Sequence, residues 1–215
     1  NLKEFRMKKI IKAATISYSI LDFVGYQFQD LVKKYEVIVV SSPDEALDTL
    51  SYIEGVRVVP VKMARRIAPF RDIVSLFSLI ALFIREKPYM VHSMTPKAGL
   101  LCMVAARISR VPLRVHTFTG LVWPTSFGYK RKLLMFTDKI TCAFATHIIP
   151  EGQGVKRDLE TGGITKKPLN VLGYGNIRGV DMYLYSKRPE VLSWAHSIRD
   201  TNFFTYLFVG RIVRD

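Results

Sequence analysis

Short apolar runs alternate along this chain with longer segments of helical periodicity, and this alternation constrains the fold more than any other feature. Residues 9–17 are almost continuously apolar, and residues 37–40 repeat the pattern after a helical segment. Such runs are typical of parallel strands that are buried on both faces. Between residues 1 and 117 strand and helix alternate five times. The sequence therefore predicts an α/β fold with a doubly wound, Rossmann-like parallel sheet.

The periodicity assigns most of the chain to strands or helices. Strands are predicted at residues 9–17, 36–42, 56–63, 89–93, 113–117, 147–150, 169–172 and 203–209. Helices are predicted at residues 22–35, 43–53, 69–85, 96–108, 130–145, 153–160 and 189–199. A chain of 215 residues is long enough for one large domain or two small ones.

The segment from Val91 to Leu100 joins a predicted strand directly to a predicted helix. Thr95 suits the helix N-cap, and Pro96 suits the first helical position. Such a junction brings the helix N-terminus to the carboxyl edge of the sheet, where open α/β sheets bind ligands. Free N–H groups and the charge of Lys97 favour an anion there. The alternative is an ordinary strand–helix turn with a solvated lysine.

Positive charge is in large excess. The 32 lysines and arginines against 18 acidic residues give a net charge of +14. Such a chain is drawn to an anionic partner, whether nucleic acid, a membrane surface or a phosphorylated substrate. The cations are dispersed and not interleaved with exposed aromatic residues, which argues against nucleic acid. Two clusters near predicted helix starts form a candidate patch for an anionic membrane or acceptor: Arg65, Arg66, Arg71, Lys130, Arg131 and Lys132.

The longest apolar run covers residues 73–84. It is too short to cross a bilayer, which needs about 20 residues. As a helix it is apolar over most of its circumference, apart from the narrow stripe of Ser75, Ser78 and Ala81. One interpretation is a helix buried between the sheet and a neighbouring helix. The other is a helix pressed into a lipid interface beside the first basic cluster.

Cysteine and histidine usage indicates neither a disulfide framework nor a metal site. Cys102 and Cys142 both fall in predicted helices, which suits reduced thiols in the cytosol. The four histidines are too scattered for a zinc site. Residues 1–9 are charged and lead straight into a strand, so no signal peptide is expected. We expect no metal and no bound cofactor.

Four segments resemble the glycosyltransferase family 4 group of the GT-B superfamily. They are residues 91–99, 116–120, 175–181 and 208–213, in the order and spacing of that family. Together they extend the resemblance over nearly the whole chain. The subgroup that they most resemble makes bacterial capsular and O-antigen polysaccharides.

The resemblance implies two Rossmann-like domains that face each other across a cleft. Residues 1–201 would form the N-terminal, acceptor-binding domain, and residues 202–215 the first strand of the donor-binding domain. We therefore expect a chain that is cut as the second domain begins, and that is not an active transferase by itself.

The resemblance also implies a reaction and a place in the cell. A sugar would pass, with retention at the anomeric carbon, from a nucleotide-sugar donor to a saccharide acceptor on undecaprenyl diphosphate. Such an enzyme is expected in the cytoplasm, bound peripherally to the inner face of the cytoplasmic membrane. Anionic lipid there would suit the positive charge of the chain. No nucleic-acid partner is expected, and the oligomeric state is left open.

The catalytic group is left open by the same resemblance. Relatives carry a histidine close to the position of Thr119, whereas the nearest one here is His116, inside a predicted strand. The candidates are therefore His116, Thr119 and Glu151, which follows the sixth predicted strand.

Substrate-binding residues are implied at several strand ends. Arg211 matches an arginine expected at the donor diphosphate, where a guanidinium fork suits phosphate oxygens. Asn176, Gly179 and Asp181 match the interdomain loop of the family. The candidate substrate-binding residues are Ser17, Tyr18, Thr95, Lys97, Ala98, Gly99, Thr117, Thr119, Gly120, Asn176 and Arg211.

Two other functions stay open. A GT-B nucleotide-sugar 2-epimerase would use the same two domains without a lipid acceptor, but the apolar helix and the basic loops count against it. A basic nucleic-acid-binding module is allowed by the net charge alone.

Overall fold

Six parallel strands form one sheet. The computed structural model describes residues 7–199, 203, 204 and 206–210. The strands are β1 (Lys8–Ile16), β2 (Tyr35–Ser42), β3 (Val56–Pro60), β4 (Met90–Ser93), β5 (Leu113–Phe118) and β6 (His147–Pro150). Their order across the sheet is β3-β2-β1-β4-β5-β6, and every neighbouring pair is parallel. The predicted doubly wound, Rossmann-like sheet is confirmed.

Helices cover both faces of this sheet. They are α1 (Ser17–Val24), α2 (Phe28–Leu31), α3 (Glu45–Ser51), α4 (Pro69–Glu86), α5 (Pro96–Ile108), α6 (Gly128–Phe144), α7 (Gln153–Thr161) and α8 (Pro189–Ile198). Helices α1, α2 and α3 bury side chains such as Phe28 and Leu50 in one core. Helices α4 to α7 bury side chains such as Leu79 and Leu159 in a second core, on the opposite face. Successive residues of β1 point alternately into the two cores, as Ile10 and Ile11 do.

Local signals set the helix starts around the carboxyl edge. A carboxylate oxygen of Asp44 accepts the N–H of Leu47 at 3.0 Å and so caps α3. Pro69 and Pro96 take the first positions of α4 and α5, where the missing N–H removes no helical hydrogen bond. Thr95 is the N-cap residue of α5, as predicted, although its side chain makes no capping bond.

Two kinds of predicted element differ from the structure. The single helix predicted at residues 22–35 is instead α1, a 3₁₀ turn at Gly25–Gln27 and the short α2. Residues 169–172 form no strand, and neither do residues 203, 204 and 206–209 of the predicted last strand. At residues 169–172 only one side chain of the apolar pattern is fully buried, because Leu169 is buried while Asn170 and Leu172 are exposed.

The described chain divides into two compact units. The first ends at Arg178 and contains the sheet, and the second begins at Gly179. The second unit contains α8, whose side chains are all exposed. The domain boundary expected between residues 201 and 202 stays a prediction. Among the helices in the described ranges, none has the length and apolarity needed to span a bilayer.

Candidate functional site

The sheet reverses its winding direction between β1 and β4, which opens a crevice at its carboxyl edge. After β1 the chain enters α1 on one face, and after β4 it enters α5 on the other. The N–H of Thr15 donates to Oγ1 of Thr95 at 2.9 Å, and the two hydroxyl oxygens lie 2.8 Å apart. Ligands of open α/β sheets bind in this crevice. The structure thus places Thr95 where the sequence predicted a binding site.

Lys97 lies at this edge but is already paired with an acidic side chain. Its Nζ donates to Oδ2 of Asp72 at 2.5 Å and to the carbonyl of Arg66 at 2.9 Å. Its side chain is 14% exposed, so the alternative of a freely solvated lysine is wrong. Asp72 therefore neutralises the positive charge of Lys97 that was predicted to bind an anion. The other oxygen of Asp72, Oδ1, is buried without a hydrogen-bond partner among the described residues.

Ala98 and Gly99 are buried against the sheet. The N–H of Gly99 already donates within the helix, to the carbonyl of Thr95 at 2.7 Å. A Cβ at Gly99 would lie 2.8 Å from Nδ1 of His116. Glycine is therefore needed here so that α5 can pass closely over the imidazole.

His116 is a fully enclosed core residue. Its Nδ1 lies 2.8 Å from Oγ of Ser93, and its ring meets Phe118 edge-on at a centroid distance of 4.5 Å. Burial lowers the pKa of His116 to about 3, and the backbone of Ser93 opposes this only in part. The imidazole is thus neutral and satisfied within the core, and this geometry favours a packing role over the catalytic one.

Thr117 belongs to a chain of polar groups that the sequence analysis missed. Its Oγ1 lies 2.8 Å from Nε2 of His92, whose Nδ1 lies 2.9 Å from Nζ of Lys12. Burial lowers the pKa of Lys12 to about 8. Burial first, and then the charge of Lys12, hold the pKa of His92 well below its usual value. The sequence feature that could have revealed these polar groups is Lys12, a lysine inside an apolar strand.

Four predicted site residues meet at the ends of β5 and β6. Oγ1 of Thr119 donates to the carbonyl of Met94 at 3.0 Å. Gly120 has a φ of +124°, and a Cβ there would lie 3.9 Å from Oε1 of Glu151. The N–H of Asn176 donates to the carbonyl of Glu151 at 2.5 Å. Burial raises the pKa of the Glu151 carboxyl, which therefore stands partly desolvated beside the crevice.

The remaining candidates lie apart from this group. The N–H of Ser17 donates to Oδ2 of Asp44 at 3.1 Å, and its side chain is buried. Tyr18 is 65% exposed on the first turn of α1. Arg211 lies outside the described residues. Within the described part of the chain, no group of three or more His, Cys, Asp or Glu side chains is placed to hold a metal ion.

A cavity of about 430 Å³ opens at the carboxyl edge, between the starts of α4, α5 and α6. Its walls are mostly apolar, as is usual for pockets that bind small molecules or cofactors. It is lined by Thr15, Ile16, Arg65, Ile67, Asp72, Thr95, Pro96, Lys97, Leu100, Phe118, Gly120, Leu121, Val122, Trp123, Leu133, Leu134, Thr137 and Asp138.

Two buried polar side chains of this cavity escaped the sequence analysis. Asp138 is 8% exposed and Trp123 is 4% exposed. Burial raises the pKa of Asp138 to about 7. The indole N–H of Trp123 faces the same carboxyl and opposes this shift, although the two groups do not meet hydrogen-bond geometry. The sequence feature that could have revealed Asp138 is its helical spacing. It lies three residues before Thr141 and four before Cys142, and therefore on the buried face of α6.

Both basic clusters lie toward this edge, because helices that follow parallel strands begin at the carboxyl edge. Arg65 and Arg66 lie in the loop before α4, and residues 130–132 lie in the first turns of α6. All six cations named in the sequence analysis are exposed, and Arg65 also lines the cavity. The rim of the site is therefore positively charged.

Helix α4 is buried on one side only. Leu79 and Phe83 pack in the core. The outer side is apolar but exposed, with Phe70 at 87%, Val74 at 66% and Phe77 at 66%. The interpretation as a helix sealed between sheet and neighbour therefore holds for one face and fails for the other.

Comparison with known proteins decides the family. A family model described as glycosyl transferase 4-like matches residues 22–151. The chain belongs to this family. The glycosyltransferase CapM of capsular polysaccharide biosynthesis in Staphylococcus aureus is 36% identical over 211 residues, which are 97% of this chain and 54% of that protein. The chain thus spans about half the length of that relative, and the resemblance drawn from four segments is confirmed.

A second relative shares a shorter region with this glycosyl transferase 4-like chain. It is the UDP-Gal:alpha-D-GlcNAc-diphosphoundecaprenol alpha-1,3-galactosyltransferase of Escherichia coli. The two are 36% identical over 83 residues, which are 39% of this chain and 21% of that protein.

Solved structures share the fold. Anabaena HepE in complex with UDP superposes with a TM-score of 0.63 at 16% identity, over 88% of this chain and 49% of that one. The UDP-GlcNAc 2-epimerase of Methanocaldococcus jannaschii gives 0.57 at 15% identity, over 91% and 54%. These likenesses confirm the N-terminal half of a GT-B fold. The lipopolysaccharide outer core galactosyltransferase WaaB shares the fold as well, with a TM-score of 0.55 at 12% identity over 76% of this chain and 44% of that one. Because both a transferase and an epimerase have this fold, the fold alone does not separate these two activities.

The family match covers most of the cavity. Of its lining residues, only Thr15 and Ile16 fall outside residues 22–151. The cationic rim, and the cavity apart from Thr15 and Ile16, therefore lie within the glycosyl transferase 4-like region itself.

The close approach of α5 to His116 predicts the effect of one substitution. Gly99→Ala should lower the free energy of unfolding by about 1–3 kcal/mol, because the new methyl group overpacks a rigid core. Denaturant unfolding of the purified protein measures this change.

Gly154→Ala is the matched control, because a Cβ at this position in α7 meets open space. It should leave stability unchanged or raise it by at most about 1 kcal/mol. In a His116→Ala background the cost of Gly99→Ala should shrink. An equal cost in both backgrounds would contradict the packing role of His116.

Proposed function

We propose that the full-length protein transfers a sugar from a nucleotide sugar to a saccharide acceptor carried on an isoprenoid diphosphate, in the synthesis of a cell-surface polysaccharide. The observation that carries this proposal is the 36% identity to CapM across 97% of the chain. The E. coli relative, whose name specifies a diphosphoundecaprenol acceptor, supports the lipid-linked class. Undecaprenyl diphosphate is the proposed carrier, and retention at the anomeric carbon the proposed stereochemistry.

The cavity is the proposed acceptor site. Its position at the winding reversal between β1 and β4 is where open α/β sheets bind ligands. Apolar walls suit the isoprenoid or the hydrophobic face of a sugar ring, and Arg65 at the rim suits a diphosphate. We propose that residues 1–201 form this acceptor-binding domain and that residues 202–215 begin the donor-binding domain.

Catalysis in this proposal depends on charge stabilisation. The leaving nucleoside diphosphate gains negative charge, which cationic groups stabilise in the transition state. Arg211 is the proposed contact on the donor side, and Glu151 and Thr119 are the proposed groups on the acceptor side. Glu151 is suited to accept a proton from an acceptor hydroxyl, because partial burial raises its pKa toward the range of a general base.

A transfer assay tests the function. Full-length protein is incubated with radiolabelled nucleotide sugars and with lipid extracted from bacterial membranes. We expect the label to move into the organic phase as a lipid-linked saccharide, and to return to a water-soluble sugar after mild acid hydrolysis. Heat-inactivated protein is the control.

The same assay separates the epimerase alternative. An epimerase would leave the label in the aqueous phase and convert the donor to its C2 epimer, which chromatography resolves. Label that stays entirely in the aqueous phase, with or without such conversion, would contradict the proposed transfer.

We further propose that the protein is cytoplasmic and docks on the inner face of the cytoplasmic membrane through α4 and the cationic rim. The exposed apolar side of α4, with Phe70, Val74 and Phe77, would enter the lipid interface. At the start of α6, Phe127 and Tyr129 are also exposed, at 83% and 80%. The surrounding arginines and lysines would face anionic headgroups, each contributing roughly 1 kcal/mol near the surface.

Charge reversal in the loop before α4 tests this docking. The double substitution Arg65→Glu with Arg66→Glu should weaken binding to vesicles with anionic lipid by about tenfold or more, because two attractive charges become repulsive. Wild-type binding should fall as salt rises, since the Debye length shortens to about 3 Å at 1 M salt. Vesicle co-sedimentation measures both effects.

The matched control is Lys33→Glu with Lys34→Glu. These two exposed lysines follow α2 at the opposite edge of the sheet, and the substitutions make the same change in net charge. The control pair should bind anionic vesicles much better than the Arg65 and Arg66 pair. Equal wild-type binding to neutral and anionic vesicles, or equal loss in both pairs, would contradict docking through this rim.

A further inference from the structure

We infer that the cavity binds the first isoprene units of the lipid carrier, and not the sugar of the acceptor. This inference rests on the proposed function, which supplies an isoprenoid diphosphate as the carrier. It assigns the apolar interior to hydrocarbon and the cationic mouth to the diphosphate, and it leaves the saccharide outside the cavity.

Hydrocarbon side chains form most of the cavity wall. They come from the loops before α4 and after β5 and from helices α5 and α6, and include Ile67, Leu100, Leu121, Leu133 and Leu134. The volume of about 430 Å³ far exceeds that of one or two water molecules, each of which occupies about 30 Å³ in the liquid. An apolar chain that fills this space removes water from apolar surface, which is the favourable direction of the hydrophobic effect.

The polar side chains of the lining hold one another. Lys97 is paired with Asp72, so their charges oppose. Oγ1 of Thr15 lies 2.8 Å from Oγ1 of Thr95. Oγ1 of Thr137 donates to a carbonyl of its own helix at 2.8 Å. These groups are therefore engaged within the protein and give the wall little polarity toward a ligand.

Trp123 and Asp138 form another such pair. The indole N–H of Trp123 faces the Asp138 carboxyl and keeps its pKa below the value that burial alone would give. Both side chains are more than nine-tenths buried. Burial still raises the pKa of Asp138 to about 7, so the carboxyl is only partly ionised at neutral pH. The deepest polar groups of the lining are thus shielded from a ligand and close to neutral.

This interior discriminates between the two ends of the acceptor. A sugar inside it would lose water from its hydroxyl groups and find few partners, and buried polar groups without partners are costly. An isoprene chain has no such groups and loses nothing on leaving water. The apolar part of the acceptor is therefore the part that suits the interior.

The mouth of the cavity suits a diphosphate. Arg65 lines the cavity and is exposed, and the guanidinium fork matches phosphate oxygens. The other cations of the rim add to the positive potential there. A diphosphate at Arg65 with its isoprenoid directed inward satisfies both the charge of the rim and the neutrality of the interior.

Apolar surface continues from the cavity toward the proposed membrane face. Ile67 lines the cavity and is also 62% exposed. It lies three residues before Phe70, at the start of the exposed apolar side of α4. An isoprenoid chain drawn from the bilayer would meet apolar side chains at both places.

Calorimetry on the full-length protein tests this assignment. The probes are inorganic pyrophosphate and the diphosphates of dimethylallyl, geranyl and farnesyl alcohols, which carry zero, one, two and three isoprene units. Affinity should rise by roughly tenfold with each unit that enters the cavity, because each buried carbon adds apolar contact. The gain should end once the cavity is filled.

Two cavity variants should reduce this dependence on chain length. Ile67→Asn places a polar amide at the entrance, and Leu100→Phe narrows the interior. Both should leave pyrophosphate binding unchanged while lowering the affinity for farnesyl diphosphate by roughly tenfold. Thermal unfolding checks that each variant folds, and the exposed loop position of Ile67 makes the first substitution easy to accommodate.

A charge variant and a matched control complete the design. Arg65→Gln should weaken binding of all four probes by a similar factor and preserve the dependence on chain length. Ile108→Asn is the control for Ile67→Asn, because Ile108 is 55% exposed at the end of α5 and lies outside the cavity lining. It should change none of the four affinities.

Several outcomes would overturn the assignment. Equal affinity for pyrophosphate and farnesyl diphosphate would show that no isoprenoid enters the protein. A dependence on chain length that survives both cavity variants, or that Ile108→Asn reduces as much, would place the chain elsewhere. The transfer assay on the same preparations separates the two proposals. If wild type labels lipid while the binding pattern fails, only the cavity assignment is wrong, and if no label reaches lipid, the proposed function is wrong.

Discussion

The parallel pairing of β1 with β4 is the constraint on which the site depends. Their register runs from Ile10 opposite Met90 to Ala13 opposite Ser93, and the connections that follow leave on opposite faces of the sheet. The N–H of Met94 still reaches the carbonyl of Ala13, at 3.1 Å. Beyond that bond the backbone hydrogen bonds between the two strands end. Thr15 and Thr95 continue the connection through the hydroxyl group of Thr95, which contacts both the N–H and the hydroxyl of Thr15. This link holds the two diverging segments at a fixed distance and keeps the crevice open.

Charge is arranged in two zones around that crevice. Inside, Lys97 is paired with Asp72, and Asp138 is sufficiently desolvated that its pKa rises to about 7. Outside, the exposed arginines and lysines near the starts of α4 and α6 leave a net positive rim beside exposed apolar side chains. A nearly neutral interior under a cationic rim suits an amphiphilic ligand that carries phosphate, which is the acceptor class that the proposed function requires.

The sequence was informative about the sheet and less so about the pairs that act at its edge. Buried parallel strands appear as continuous apolar runs, and Pro96 marks the start of α5, so the crevice could be located. An apolar run shows neither that its side chains are buried nor that a partner strand is available. The strands predicted at 169–172 and 203–209 were wrong in the described residues, where Leu172, Phe203 and Phe208 are exposed. Lys97 was placed correctly, but only folding brings Asp72 to it. Asp138 and Trp123 were missed because neither belongs to a motif.

Photo-crosslinking tests most directly whether the acceptor binds at this carboxyl edge. A diazirine-bearing analogue of a saccharide on an isoprenoid diphosphate is irradiated with the full-length protein, and the modified residues are mapped by mass spectrometry. We expect modification within residues 65–72, 95–100 and 120–138, reduced by excess unlabelled acceptor. Modification concentrated at residues 84–89 and 109–112, which line a separate pocket at the opposite edge, would contradict this expectation.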